Sequence, residues 1–356
     1  MISKNSSSAK STNHITKSQL KSLNVTHETI DSYLLNLEED KSPSERFLVY
    51  LLKFEIIPKT KTAVGSWCEH LNMLIDKYYQ MKEHYIGDTS VEEIKKQLDP
   101  IIPRDMERSI SLYREYRKEF EYDNTFIDDA ESIFSRIYFI LSKEMEGYHY
   151  FQGHDRFLYI ASVIVEAFCT EISVKTEVAE ALIYYLFKGF MEKLYLKDII
   201  NDQEKLKDFF LRTSVLFVNK SPITCCKLAK FGLKPEMFAM NYVMLLFIEQ
   251  HNLKQLLNLW DQIVLHIDQV ESYISSLIVA HVNQIDLGNN QTEASQRILK
   301  ENDFFLQRLI YEANELIESA QNIKEGKKDS SFSWLPLLNI LIPLAGIIIV
   351  LIYVLK

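Results

Sequence analysis

The segment Tyr148-His149-Tyr150-Phe151-Gln152-Gly153-His154-Asp155 is a polar, glycine-containing turn between two apolar runs, residues 133–141 and 157–168. Both runs have helical spacing. A loop held between two buried helices can fix its side chains for chemistry. A second charged turn with a recognisable pattern lies upstream, Ile102-Pro103-Arg104-Asp105-Met106-Glu107-Arg108. These two turns are the candidates for the functional site.

The rest of the chain predicts an all-α fold, a single large multi-helix domain. Only 9 glycines and 8 prolines occur in 356 residues, which disfavours the frequent turns of β architectures. Apolar residues recur with helical spacing from residue 29 onward, and no segment shows a convincing period of two. The sequence Ser42-Pro43-Ser44-Glu45 predicts a capping box at a helix start, and residues 235–250 predict one helical run.

Changes in composition divide the chain into four parts. Residues 1–28 are rich in Ser, Thr, Asn and Lys and predict a disordered tail; without arginine or an amphipathic face they match a transit peptide only weakly. The helical domain covers residues 29–285, with its core at about 45–270. Residues 286–333 contain a further helix and a polar juxtamembrane linker. Residues 334–355 form the fourth part, the predicted transmembrane segment.

The further helix has a heptad-like spacing, carried by Leu299, Leu306, Leu309, Ala313 and Leu316. Packing back onto the domain is favoured over pairing with a partner helix, because two or three heptads make a short seam. An anchored coiled-coil protein of the fusion type is an alternative, although it leaves the large helical domain unexplained.

Residues 334–355 contain no charged side chain and predict a C-terminal transmembrane helix. Their 22 residues would form a helix of roughly 33 Å, enough for a bilayer core of about 30 Å. Trp334 and Tyr353 lie near its two ends, as interfacial aromatics do. We expect a tail anchor with the N-terminal domain in the cytosol, because only Lys356 follows and Lys324, Lys327 and Lys328 precede it.

Charge and motifs exclude several classes of protein. A net charge of −9 disfavours nucleic acid as a partner. The four cysteines lack a CxxC spacing and predict reduced thiols. No phosphate-binding loop, HExxH or GxSxG motif is present, so the chain is not a self-contained enzyme. His149, His154 and Asp155 cluster, but no further metal ligands accompany them.

In the upstream turn, Pro103 can open a helix that places Asp105 and Arg108 on one face, three residues apart. The carboxylate can then hold the guanidinium in one orientation. Taken alone, this arrangement also fits an ordinary surface ion pair, which contributes little to stability.

The two turns together resemble the two signature motifs of the TBC domain, a family of all-helical GTPase-activating proteins for Rab GTPases. The I-x-x-D-x-x-R motif is matched by Ile102, Asp105 and Arg108. The Y-x-Q-G motif is matched by Tyr150, Gln152 and Gly153.

Further matches extend the resemblance over roughly residues 45–270: Trp67, Pro235 with Phe238, and Leu259-Trp260-Asp261. The chain departs from the family pattern at Ala63, where arginine is usual, and at Ser109-Ile110-Ser111, where threonine and then proline are usual. Tyr242 replaces a late tryptophan.

The resemblance implies that Arg108 and Gln152 are catalytic residues inserted into the active site of a bound Rab in its GTP form. Arginine would stabilise charge on the phosphate oxygens, and glutamine would orient the attacking water. Asp105 would hold Arg108, Tyr150 would brace the glutamine loop, and Gly153 would permit its tight turn, with Ile102 completing the first motif. No cofactor of its own is implied, because the partner carries GTP and Mg²⁺.

The predicted anchor makes the layout similar to the tail-anchored subgroup of the endoplasmic reticulum, whose members act on Rabs of early secretory traffic. The alternative function is a catalytically silent, tail-anchored helical tether or scaffold that binds a Rab without turnover. Intact residues at both catalytic positions disfavour that alternative.

Overall fold

The computed structural model describes residues 14–23, 25–37, 41–119, 129–174, 176–300 and 304–324. Within these ranges every regular element is helical, as the sequence predicts. The α-helices are α1 (Lys17–Lys21), α2 (Ile30–Leu35), α3 (Pro43–Lys53), α4 (Val64–Tyr85), α5 (Val91–Gln97), α6 (Ile101–Glu119), α7 (Ala130–Glu144), α8 (His154–Glu171), α9 (Thr176–Gly189), α10 (Lys197–Ile200), α11 (Gln203–Lys220), α12 (Pro222–Lys230), α13 (Ala239–Leu245), α14 (Leu253–Leu265), α15 (Val270–Gln284), α16 (Gln291–Lys300) and α17 (Leu306–Lys324). A π-helical turn, Phe190–Leu194, continues α9, and short 3₁₀ turns cover Pro235–Met237 and Ile267–Gln269.

Helix α8 is the centre of the N-terminal half. It is buried on all sides along most of its length and packs against α3, α6 and α9. The ring of Phe168 packs at a tilt against that of Phe47 of α3, with centroids 4.4 Å apart. A helix that is apolar all round needs neighbours on every side, and these three supply them. The turn Tyr148–Asp155 runs directly into the N-terminus of this helix, so a rigid element supports it.

Helix α15 is the corresponding centre of the C-terminal half, packed against α11, α14 and α17. Helix α14 connects the halves through contacts with α2, α3, α6, α15 and α17. Its Trp260 stacks on Phe157 of α8 with ring centroids 5.3 Å apart and donates its indole N–H to the carbonyl of Leu246 at 2.9 Å.

Asp261 forms a buried ionic network between α14 and the segment around α3. Its fully buried carboxylate accepts hydrogen bonds from Lys41 at 2.6 Å, from Arg46 at 2.9 and 2.8 Å, and from the Tyr50 hydroxyl at 2.8 Å. A buried charge is tolerated when it is paired and hydrogen-bonded in this way. The final residue of the Leu-Trp-Asp pattern therefore fastens the two halves together.

The prediction of a disordered tail over residues 1–28 is wrong for its second half. Thr16 caps α1, and the Ile15 N–H donates to Asn72 of α4 at 2.8 Å. Ile15, Leu20 and Leu23 are buried. These few apolar residues supply enough contact with α4 to order a segment whose average composition is polar.

Two local sequence predictions, one for a helix cap and one for the extent of a helix, are also wrong. Ser42 precedes α3 but makes no capping hydrogen bond, and its hydroxyl donates to Glu171 at 3.2 Å instead. The single run predicted for residues 235–250 is divided into a 3₁₀ turn and α13. Helix α13 ends where Leu246 and Phe247 adopt positive φ angles of 42° and 66°.

The C-terminal region forms two helices, α16 and α17, rather than one. Helix α17 packs along α15 and buries Leu309, Ile310, Ala313, Leu316 and Ile317, so the favoured packing back onto the domain is observed.

Across the part of the chain that is described, no single helix combines the length and apolar composition needed to cross a bilayer. The bent pair Leu253–Leu265 and Ile267–Gln284 meets that requirement only when both are counted together. The predicted transmembrane helix at residues 334–355 lies outside the described ranges.

Candidate functional site

Helix α6 presents Arg108 to solvent from a fixed base. Ile102 and Asp105 are buried in the first two turns of the helix, on the face that contacts the domain, whereas the Arg108 side chain is 73% exposed. The closest approach between the Arg108 guanidinium and the Asp105 carboxylate is 3.9 Å. This ion pair is long, and most of the Arg108 side chain is accessible to solvent.

Gly153 shapes the turn that presents Gln152. Its φ of +101° lies in a region that side-chain-bearing residues rarely adopt, and a Cβ there would lie 2.4 Å from Cδ2 of Leu245. Gly153 is buried and Gln152 is exposed. The backbone thus passes close beneath α13 and turns Gln152 outward.

The segment 102–108, predicted as a turn, lies within α6, and the Tyr150 hydroxyl joins this helix to the loop before α8. This hydroxyl lies 3.0 Å from Asp105 Oδ2 and 3.2 Å from Asp155 Oδ1, so it can donate its single proton to one carboxylate at a time. Burial, followed by the charges of Asp155 and Asp105, raises the pKa of Tyr150. The hydroxyl therefore stays protonated and links the carboxylate beside Arg108 with the first turn of α8.

Ser109 and Tyr159 complete this network, although neither has a role that the sequence predicts. The Ser109 hydroxyl donates to the Asp155 carboxylate and lies 2.8 Å from the Tyr159 hydroxyl. Asp155, which the sequence suggests only as a metal ligand, is buried at the point where these groups converge. The available signal was the type of residue that follows Arg108, because serine keeps the hydroxyl of the usual threonine and can reach the first turn of α8.

His154 is a buried packing residue. Its ring lies against Tyr195, with centroids 4.4 Å apart, and burial lowers its pKa to about 3. The imidazole is therefore neutral at physiological pH. Among the described residues, no group of three or more His, Cys, Asp or Glu side chains has the arrangement to hold a metal ion.

Arg108 and Gln152 line the same open cleft, which has a volume of about 640 Å³. Asp105 and Gly153 also line it, so the structure brings together four of the six predicted site residues. Ile102 is buried in the first turn of α6, and the Tyr150 hydroxyl lies between α6 and the start of α8. An exposed cation and an exposed carboxamide at one opening can act on a group that a second molecule carries into it.

The far rim of the cleft is formed by α13 and the segment that follows it. Glu249 accepts hydrogen bonds from Arg156 of α8 at 2.9 Å and from Asn241 of α13 at 3.2 Å. These links fix the distance between α8 and α13 and so maintain the width of the opening.

Comparisons with known proteins agree with this geometry. The sequence model of the Rab-GTPase-TBC domain family matches residues 63–287, more than half of the chain. Among solved structures, the crystal structure of the Ypt/Rab-GAP domain of Gyp1p has a TM-score of 0.57 at 13% sequence identity, covering 87% of this chain and 94% of that chain. This likeness shows a shared fold. No curated protein matches the sequence at a significant level. From its helical architecture and from the extent of the family match, the chain belongs to the Rab-GTPase-TBC domain family and is a Rab GTPase activator.

Proposed function

We propose that this chain activates a Rab GTPase by inserting Arg108 and Gln152 together into the active site of the GTP-bound partner. The observation that carries the proposal is the exposure of both side chains at one cleft, above a buried network that joins α6 to the loop before α8. An exposed arginine with one weak partner is free to bind phosphate when the GTP-loaded Rab binds.

Each side chain suits the role assigned to it. The guanidinium keeps its charge and presents several N–H donors to the phosphate oxygens, where negative charge develops during transfer. The carboxamide of Gln152 has both a donor and an acceptor, so it can orient a water molecule for attack. The hydrogen bond between Tyr150 and Asp105 holds the loop that carries Gln152 against α6 before the partner binds. The nucleotide and its Mg²⁺ belong to the partner GTPase.

The same proposal places the protein on a membrane. Residues 334–355 would anchor it, with the helical domain on the cytosolic face of an endomembrane, for which the endoplasmic reticulum and early secretory traffic are our proposal. Rab GTPases are carried on membranes by lipid groups, and confinement to the same surface raises the rate of encounter without any additional contact.

The test is single-turnover phosphate release from a panel of GTP-loaded Rabs, with Arg108→Ala and Gln152→Ala measured beside the unaltered protein. Removal of an arginine supplied in trans should slow hydrolysis by about 10³- to 10⁵-fold. Arg104→Ala is the matched control, because Arg104 is an exposed arginine on the same helix that does not line the cleft. If both finger variants retain full acceleration, the dual-finger assignment is wrong.

The silent-tether alternative gives a different result in the same assay. A tether would retain GTP-loaded Rab in a pull-down and leave its rate of hydrolysis unchanged. In that case neither finger substitution would alter the rate, although both could weaken binding.

A further inference from the structure

Helix α11 exposes an apolar strip on the side opposite its packed face. Leu211, Val215 and Val218 are spaced four and three residues apart, and their exposed fractions are 63%, 50% and 41%. Residues with this spacing lie on one face of a helix. Ile223, 76% exposed at the start of α12, extends the strip. We name these four residues the α11–α12 face.

The α11–α12 face is continuous with an apolar groove between α11, α15 and α17. This groove has a volume of about 380 Å³, and Leu211 and Val215 line it together with Leu316 and Ile317 of α17. Large apolar side chains that remain in water next to an apolar groove mark an interaction surface.

Charge indicates which partner this surface suits. Residues 203–230 contain six Lys or Arg and two Asp or Glu, in a chain with a net charge of −9. Five of the six are exposed: Lys205, Lys207, Arg212, Lys227 and Lys230. Lysines around exposed apolar side chains are the composition of a segment that lies at the interface of an anionic bilayer.

Some acidic groups lie near the same surface. Arg212 pairs with Asp208 and Glu271, each at 3.1 Å. A neighbouring cleft, which Ile223 also lines, contains Glu312, Glu315 and Glu318 of α17. Around this surface the basic residues therefore predominate on α11 and α12, and acidic side chains of α17 border it.

The connection to the apolar C-terminal segment points to the same face. Helix α17 ends at Lys324, shortly after Leu316 and Ile317 of the groove, and residues 325–333 separate it from the uncharged segment 334–355. Nine residues span at most roughly 30 Å when fully extended. If residues 334–355 lie in a bilayer, the end of α17 and the adjacent groove must lie close to the surface of that bilayer.

We propose that the α11–α12 face rests on an anionic membrane surface, with Leu211, Val215, Val218 and Ile223 in the interfacial region and the surrounding lysines at the headgroups. This inference rests on the membrane anchor of the proposed function. It adds an orientation: the domain lies against the bilayer through a second contact instead of rotating freely on its linker.

The test uses the full chain reconstituted into vesicles of phosphatidylcholine, with or without phosphatidylserine. Cys225 and Cys226 are replaced by serine, and since Cys68 and Cys169 are buried, a polarity-sensitive fluorophore then reacts with one introduced cysteine. Val215→Cys reports on the α11–α12 face. Met73→Cys is the matched control, because Met73 has the same exposed fraction of 50% and lies on α4, which packs against α1, α7 and α9.

The label at position 215 should shift to the blue in anionic vesicles, and nitroxide-bearing lipid should quench it severalfold more strongly than the label at position 73. Lys207→Glu combined with Lys227→Glu should reduce this difference. Equal quenching at the two positions in a chain that floats with the vesicles would overturn the inference.

Other occupants of the groove give recognisable results. A label shielded from water but not quenched by lipid would mean that the chain's own apolar segment fills the groove, and shielding that depends on the protein-to-lipid ratio would mean a second copy. Both results overturn the proposal. A chain that does not float refutes the anchor and this inference together, whereas Rab activation in detergent tests the dual finger separately. Leu211→Glu with Val215→Glu should leave that activity unchanged.

Discussion

Replacement of Gly153 by alanine is expected to slow Rab GTP hydrolysis at least tenfold while the domain remains folded. A side chain at φ +101° costs about 1–2 kcal/mol. The new Cβ would lie 2.4 Å from Leu245 Cδ2, and moving that side chain off its rotamer adds about 0.5–1.5 kcal/mol. Together these costs reduce the population of the native turn roughly 10- to 300-fold, at about 1.4 kcal/mol per factor of ten. Gln152, the preceding residue, then loses its position at the cleft.

Two variants separate the contributions to this effect. Gly232 has a φ of +67°, and no atom lies within 4 Å of the point that a Cβ would occupy, so Gly232→Ala should cost about 1 kcal/mol of stability without a loss of activation. Valine lacks Cδ atoms, so Leu245→Val in the Gly153→Ala background should restore the part of the activity that the steric conflict removes. The measurements are single-turnover phosphate release for activity and thermal unfolding for stability.

The reasoning is refuted if Gly153→Ala lowers the unfolding temperature as Gly232→Ala does and yet hydrolysis proceeds at the unaltered rate. Such a result would mean that the turn geometry does not position Gln152.

Three further predictions concern buried polar groups. Asp261→Asn should lower the free energy of unfolding in urea by about 3–5 kcal/mol, because it leaves two buried cations with a neutral partner; an unchanged urea midpoint would contradict this. Tyr150→Phe should cost about 1–3 kcal/mol of stability and slow phosphate release at saturating Rab, whereas a purely structural role for the hydroxyl would leave that rate unchanged. The contribution of two buried histidines, His154 and His251, to the free energy of unfolding should be fully present above a pH of about 6.5. It should fall as the pH drops toward 4, by roughly 1.4 kcal/mol per pH unit for each histidine. The reason is that burial lowers the pKa of His154 to about 3 and that of His251 to about 4, so the unfolded chain binds protons that the folded chain does not; a thermal-unfolding temperature that is constant between pH 6.5 and 4 would contradict this.

The sequence predicted the helical class and the loop before α8 because both depend on local patterns, whereas the turn predicted at residues 102–108 is part of helix α6. Helical spacing of apolar residues is a property of short windows, and Pro103 lies in the first turn of α6, although the helix begins two residues earlier, at Ile101. The positions of Arg108 and Gln152 at one cleft followed from the family resemblance, since nothing in the spacing of the turns gives a distance in space.

What the sequence could not predict depends on contacts between distant segments. Ser109 and Asp155 are 46 residues apart, and their hydrogen bond is not visible in either local pattern. The order of residues 14–23 comes from a few apolar contacts with α4, which average composition conceals. Helix α13 ends early because Leu246 turns its carbonyl toward Trp260, a partner 14 residues later.

The Asp261 network has a consequence for the synthesis of the protein. Arg46 and Asp261 are separated by 215 residues, so at about 5–20 residues per second roughly 10–40 s pass before the carboxylate follows the guanidinium out of the ribosome. During that interval Arg46 of α3 has no carboxylate to pair with in the protein interior. Docking of α3 is therefore delayed until α14 emerges. A nascent chain interrupted before residue 261 therefore exposes the apolar face of α3, which makes it a substrate for chaperones or for degradation.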